Sequence, residues 1–280
     1  MIFLLLTILS SLLTSVMLKV NETRGGSRLV VAGTNYVVAA MLALVMGAWS
    51  HLDLGGQWIW IGIAAGGGFI GGFLMLMRGI KEIGLAIPTS AARLSMLIPV
   101  AGSIICFDER PSPLQIAGIG AGIAAFLMLG AAQRRRDNKG ELDLGAVGVL
   151  AAIFTIVGIT DFSMKAAQTG GADKDGFAFW VFISAAAFCW LTVAARRIPV
   201  VAADIGRGVL LGIPNYFSVY FLLLALKQLD ASVVFPTVSV GGVIAVTATA
   251  VIFWKEHPNR TAWIGIALAA IAVALLGLSG

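Results

Sequence analysis

Arg93, in the segment PTSAARLSM, stands near the middle of an apolar run. A cation at that depth of a bilayer costs about 2.5–3.5 kcal/mol to insert unless it faces a cavity or a partner. Arg93 therefore reads either as a group for an anionic or zwitterionic solute or as a structural group, in an ion pair or bonded to a broken-helix carbonyl. Asp161, in GITDFSMKAA, carries a similar choice. Lys165 follows one helical turn later on the same face, so the two can pair near the interface. The sharper alternative makes Asp161 a counter-ion to Arg93, or a group that binds and releases a coupling proton.

Further polar and aromatic groups interrupt apolar runs. Thr89, Ser90 and Ser95 flank Arg93, Asn35 and Tyr36 form one pair, Asn215, Tyr216 and Tyr220 a second group, and Thr237 and Ser239 a third. Amides and hydroxyls in a membrane either bond neighbouring helices or line a pocket. Pro88, Pro99, Pro214 and Pro236 are placed to kink helices and free carbonyls. Glu109 and Glu256, just before Pro111 and Pro258, read as structural groups that cap or pair at helix ends. Nothing points to an enzyme: there is no H-E-x-x-H, no G-x-S-x-G, and no phosphate-binding glycine loop. The two histidines, His51 and His257, lie near loops, and Cys106 and Cys189 sit in apolar runs without partner spacing. The reading is no metal, no cofactor and no disulfide.

The elements that must position these groups follow from composition. The chain has 280 residues, of which 59% are hydrophobic and only 12% charged, and its mean hydropathy is +0.96. Soluble domains carry roughly 25% charged residues, because a folded surface must face water. The net charge of +5 does not indicate nucleic acid, since Lys and Arg cluster between apolar runs as membrane flanks do. A bilayer core about 30 Å thick needs roughly 20 apolar residues per helix. That ruler predicts spans near 1–19, 29–49, 57–77, 84–106, 113–132, 144–165, 177–195, 207–226, 232–254 and 261–279. The first run lacks a basic leader segment and a convincing cleavage site, so it reads as a retained membrane helix. The fold class is all-α: a polytopic membrane protein with ten transmembrane helices.

The chain also repeats itself. Shifted by 147 residues, FDERPSPLQIAGIGAGIAAFLMLG falls on WKEHPNRTAWIGIALAAIAVALLG. Glu109 meets Glu256, Pro111 meets Pro258, Gly118 meets Gly265, Ala125 meets Ala272 and Leu129 meets Leu276. The predicted repeats are residues 1–137 and 138–280, five helices each. Because five is odd, successive copies enter the membrane from opposite sides, a 5+5 inverted-topology repeat. Inverted repeats with a site near the bilayer midplane are a recurrent plan of secondary transporters. The same shift places Val240 opposite Arg93, so the cation breaks the symmetry.

At the repeat, the segments GIKEIGLAIPTSAARLSMLIPVAGSIICFDERPSPLQIAGIGAGIAAFLML and ALKQLDASVVFPTVSVGGVIAVTATAVIFWKEHPNRTAWIGIALAAIAVALLG resemble the drug/metabolite transporter superfamily, in its EamA-like ten-helix branch. Each has a small-residue helix, an acidic residue at its end and then glycine-rich apolar sequence. The resemblance implies a carrier with a central cavity lined mainly by the third, fourth, eighth and ninth helices. It also implies gradient-driven movement of a small metabolite or drug-like solute by alternating access. A drug-efflux protein with an apolar cavity and a membrane-embedded enzyme acting on a lipid or peptide are the alternatives. The partners expected are a small-molecule solute and the lipid bilayer, with a proton as the candidate coupling ion. A monomer and a homodimer are both compatible with the chain.

The expected location is the cell inner membrane, crossed many times. Loops after the odd-numbered spans hold fourteen Lys and Arg, Arg134, Arg135 and Arg136 among them, and the alternate loops hold four. By the positive-inside rule this bias places both termini outside the cytoplasm. Trp49, Trp58, Trp60, Trp254 and Trp263 sit near predicted interfaces, as an anchoring belt does.

Overall fold

The computed structural model describes residues 1–48, 53–83, 86–137, 144–254 and 260–278. Every regular element among them is a helix. In order these are α1 (Ile2–Thr23), α2 (Arg28–Ala48), α3 (Trp58–Ile83), α4 (Ala86–Leu94), α5 (Leu97–Phe107), α6 (Pro113–Asp137), α7 (Leu144–Thr169), α8 (Lys174–Ala195), α9 (Ala202–Gln228), α10 (Ala231–Trp254) and α11 (Arg260–Leu278).

Nine segments among the described residues are long and apolar enough to cross a membrane, with α4 and α5 together forming one of them, Ile87–Phe107. α1 adds a shorter apolar stretch, Ile2–Leu18. The protein is a polytopic all-α membrane protein. Its outward side chains agree: Ile105, Leu144, Ile252 and Leu191 are exposed at 80%, 88%, 68% and 64%, which is tolerable only against lipid.

The helices fall into two compact units, each described by itself. One comprises Met1, Gly71–Phe162 and Gln228–Gly280; the other comprises Ile2–Ile70 and Ser163–Lys227. Each therefore draws on residues from before and after the 137/138 boundary.

In the first unit, α6 and α11 form the most extensive helix pairing, and α10 packs on α11, α5 and α6. Glycine makes the α6–α11 approach possible. A Cβ at Gly118 would stand 2.8 Å from Leu276 Cγ and 3.3 Å from Ala272 O, and a Cβ at Gly265 would stand 2.8 Å from Leu129 Cγ and 3.3 Å from Ala125 O. Small residues at such crossings let helix backbones close up where no hydrophobic effect drives them together. Ile83, Val149 and Ile153 form a satellite core where α3, α4 and α7 meet.

In the second unit, α2 and α8 pair most extensively. Val30, Val31, Val181 and Phe182 are among the side chains buried there. Gly62 and Gly66 of α3 lie against α8 at Trp180 and Ser184.

The prolines act in two ways. Pro88 and Pro99 stand in the first turns of α4 and α5, where a missing N–H costs nothing. Pro214 and Pro236 lie inside the continuous helices α9 and α10. Trp60 and Trp263 are exposed at 75% and 53%, Trp58 is half-buried, and Trp49 lies outside the described residues.

Candidate functional site

The fourth crossing is broken at Ser95–Met96, between α4 and α5. Pro99 explains the place. It has no N–H to give the carbonyl four residues back, and its ring crowds that carbonyl, which belongs to Ser95. Ser95 O instead accepts the N–H of Ile98 at 2.9 Å, and Met96 N–H donates to Arg93 O at 3.3 Å. The Ser95 hydroxyl, buried, turns back onto Ala92 O at 2.6 Å.

Arg93 sits one residue before the end of α4. Its guanidinium lies beside α10 at Gly242, where a Cβ would stand 3.7 Å from Nη1. Arg93 and Asp161 of α7 act on each other electrostatically. α7 comes close at this level because of Gly158, one turn before Asp161. A Cβ there would meet Ile98 Cδ1 at 2.5 Å and Ser95 O at 2.8 Å. Phe162 stacks on Phe107 with ring centroids 5.9 Å apart. The cation, the carboxylate and the interrupted backbone thus belong to one compact unit.

Other expected residues are placed around this centre with less convergence. Ser90 faces α6 at Gly130. Thr237 is buried, and its hydroxyl has no hydrogen-bond partner among the described residues. Thr89 and Ser239 are half-buried. Lys165 is buried one turn beyond Asp161 and falls within the second unit.

Asn35, Tyr36, Asn215, Tyr216 and Tyr220 also fall in the second unit. Tyr36 stacks on Phe182 at 6.3 Å between centroids, and Tyr216 lies 5.7 Å from Tyr220. Asn35 Oδ1, an acceptor, and Asn215 Nδ2, a donor, are both buried without a partner among the described residues. The Tyr216 hydroxyl donates to Asp175 Oδ1 at 3.1 Å. Asp175 is 1% exposed, pairs with Lys174, and Lys174 Nζ stands 5.0 Å from the centre of the Tyr220 ring.

Sequence reasoning missed Asp175, because the run DKD before FAFWVF reads as a polar turn. Only Asp173 plays that part, as the N-cap of α8 that accepts from Gly176 N–H at 2.8 Å. It also missed the cluster in which Asp204 accepts from Ser27 N–H (3.0 Å) and Arg207 (2.9 Å), while Arg207 donates to Asn21 Oδ1 (3.1 Å). Arg207, one of the fourteen charges assigned to the loops after the odd-numbered spans, lies inside α9.

Glu109 crosses between elements of the first unit. Its Oε1 accepts the Ala231 N–H at 3.1 Å and its Oε2 accepts the Ser232 N–H at 3.4 Å, at the start of α10. Ser103 Oγ lies 2.9 Å from Oε2. The carboxylate thus satisfies donors that a helix N-terminus leaves open, and its charge suits the positive end of the dipole. Asp108, in the left-handed region at φ 52°, makes the turn that aims Glu109 there. Glu256 lies outside the described residues, as do His51 and His257. Among the described residues, no three His, Cys, Asp or Glu side chains are grouped to hold a metal ion.

Comparison with known proteins adds three findings. Residues 144–278 match the EamA-like transporter family. An uncharacterized protein of Haemophilus influenzae is 25% identical over 206 residues, covering 72% of this chain and 69% of the relative. A solved crystal structure superposes with a TM-score of 0.81 over 99% of both chains at 19% identity, a likeness of fold.

Proposed function

Because residues 144–278 match the EamA-like transporter family, we propose that this membrane protein is a gradient-driven carrier of a small metabolite or drug-like solute that works by alternating access. Arg93 is the group on which the reading turns. In this proposal its guanidinium receives a carboxylate, phosphate or other anionic group of the solute. The supporting observation is the junction of Arg93, Asp161 and the Ser95–Met96 break within one unit. A charged pair in a bilayer is costly unless it works on a solute or locks a structure. A pure lock would not need the backbone interrupted beside it.

The duplication into residues 1–137 and 138–280 is part of the same proposal. It draws support from the reciprocal contacts of Gly118 with Leu276 and Gly265 with Leu129. Asp161 is proposed to compete with the solute for Arg93 and to take up a coupling proton when the pair opens. Ser90, Ser95, Thr89, Thr237 and Ser239 are proposed to supply neutral polar contacts, with Asn35, Tyr36, Asn215, Tyr216 and Tyr220 as further solute contacts. Both termini are proposed to lie outside the cytoplasm of an inner membrane, and no enzymatic step is invoked.

The deciding experiment is a thermal-shift screen of the purified protein against a metabolite panel, repeated with Arg93→Leu. Anionic solutes should raise the melting temperature of the natural protein and not of the variant. Equal stabilisation of both by the same anions would remove Arg93 from the site.

A further inference from the structure

The unit formed by residues 2–70 and 163–227 holds a cavity of about 290 Å³. It lies where the turn before α3 meets the turn before α8. Two carboxylates, Asp53 and Asp173, and three aromatic side chains, Trp58, Phe177 and Trp180, contribute to its lining. Among the described residues, no Lys, Arg or His belongs to that lining. The neighbouring Lys174 is engaged elsewhere, on Asp175 and over the Tyr220 ring.

The walls are fixed by bonds that leave the charges usable. Asp173 spends Oδ2 on Gly176 N–H at 2.8 Å and on Asp53 N–H at 3.4 Å. Asp53 spends Oδ1 on Gly55 N–H at 2.7 Å. Asp173 Oδ1 and Asp53 Oδ2 accept nothing from the described residues. The indole N–H of Trp180 donates to Leu54 O at 3.0 Å, which ties the turn to α8 and sets the ring. Trp58 rests against Gly170.

The two carboxylates of the lining repel anions. Trp58, Phe177 and Trp180 stand beside these carboxylates in the lining, and an aromatic ring attracts a cation. The volume falls near the small end of ligand cavities, roughly 300 Å³. We propose that this cavity binds a small organic ammonium ion of about choline's size, with Asp53 and Asp173 balancing its charge and the aromatic rings holding its methyl or methylene groups. The site shares no residue with the Arg93 centre, and it stands whether or not that centre carries solute.

The test uses the full chain in lipid nanodiscs with radiolabelled choline, and with 3,3-dimethylbutan-1-ol as the uncharged competitor of the same shape. D53N/D173N removes both charges while Asn keeps the turn and the helix cap. W58L removes one ring and touches neither. Choline should bind saturably, the neutral alcohol should not compete, and both variants should bind about tenfold or more weakly with unchanged melting, while R93L binds like the natural protein. The proposal is overturned if choline shows no saturable binding, if the alcohol competes equally, or if D53N/D173N binds undiminished. It is overturned as well if R93L alone abolishes binding.

Discussion

Leu276 packs onto Gly118 at 2.8 Å from a notional Cβ, the same distance at which Leu129 packs onto Gly265. The proposed 147-residue repeat pairs the two leucines with each other and the two glycines likewise, and Ala125 and Ala272 lend the carbonyls beneath. α6 and α11 therefore meet through matching contacts.

That equivalence makes the first prediction. Gly118→Val and Gly265→Val should each destabilise the protein by about 1–3 kcal/mol, the usual cost of overfilling a tight packing site. Melting of the detergent-purified variants should fall by similar amounts. A loss confined to one of them would show that the two crossings are not equivalent.

The second concerns the intramembrane cation. Arg93→Leu should fold and reach the membrane but lose transport. Arg93→Lys should keep part of it, because Lys retains charge without the planar fork. The loss of solute affinity in Arg93→Leu should be about ten- to a hundredfold, since a hydrogen bond to a charged group contributes about 1.5–3 kcal/mol. Solute flux in proteoliposomes measures it, and normal flux with Arg93→Leu ends the anion-site reading.

Asp161→Asn gives the third. The amide keeps the shape but cannot exchange a proton, so accumulation driven by a pH gradient should fall to the background level. Exchange of solute for solute, which needs no proton, should survive. Undiminished accumulation would assign Asp161 a structural part alone.

Glu109 provides the fourth. Glu109→Ala leaves Ala231 N–H and Ser232 N–H without their carboxylate, at a cost of about 0.5–2 kcal/mol, as for loss of a helix cap. Glu109→Gln should cost less, because the amide oxygen still accepts while the charge on the helix dipole is gone. Thermal melting ranks the three proteins.

Orientation is the fifth. A reporter active only outside the cytoplasm, fused after the last residue, should be active. Activity of a cytoplasmic reporter at that position would invert the assignment.

Most of the helical plan was legible because lipid imposes one rule on every crossing: about 20 apolar residues with all backbone groups satisfied internally. The α4–α5 break was only half legible. Pro99 announces a missing N–H, but the resulting bond from Ile98 to Ser95 O depends on how the turn resolves. Asp175 was not legible. A carboxylate one residue past a helix cap normally faces water, and only the fold shows Tyr216 reaching it. Arg207 misled for a related reason, since a basic residue at a span's edge counts as a loop charge until Asp204 and Asn21 are seen to hold it.

The interruption at Ser95–Met96 divides allegiances within one crossing. α4 leans on α6, with Ser90 against Gly130, while α5 leans on α10, to which Glu109 fastens the adjoining turn. Arg93 stands on the α4 side of the joint. Should α6 and α10 shift against each other, the guanidinium would travel with α6 and slide past Gly242, so the joint makes the cation a pointer whose reading changes with the pose of its own bundle.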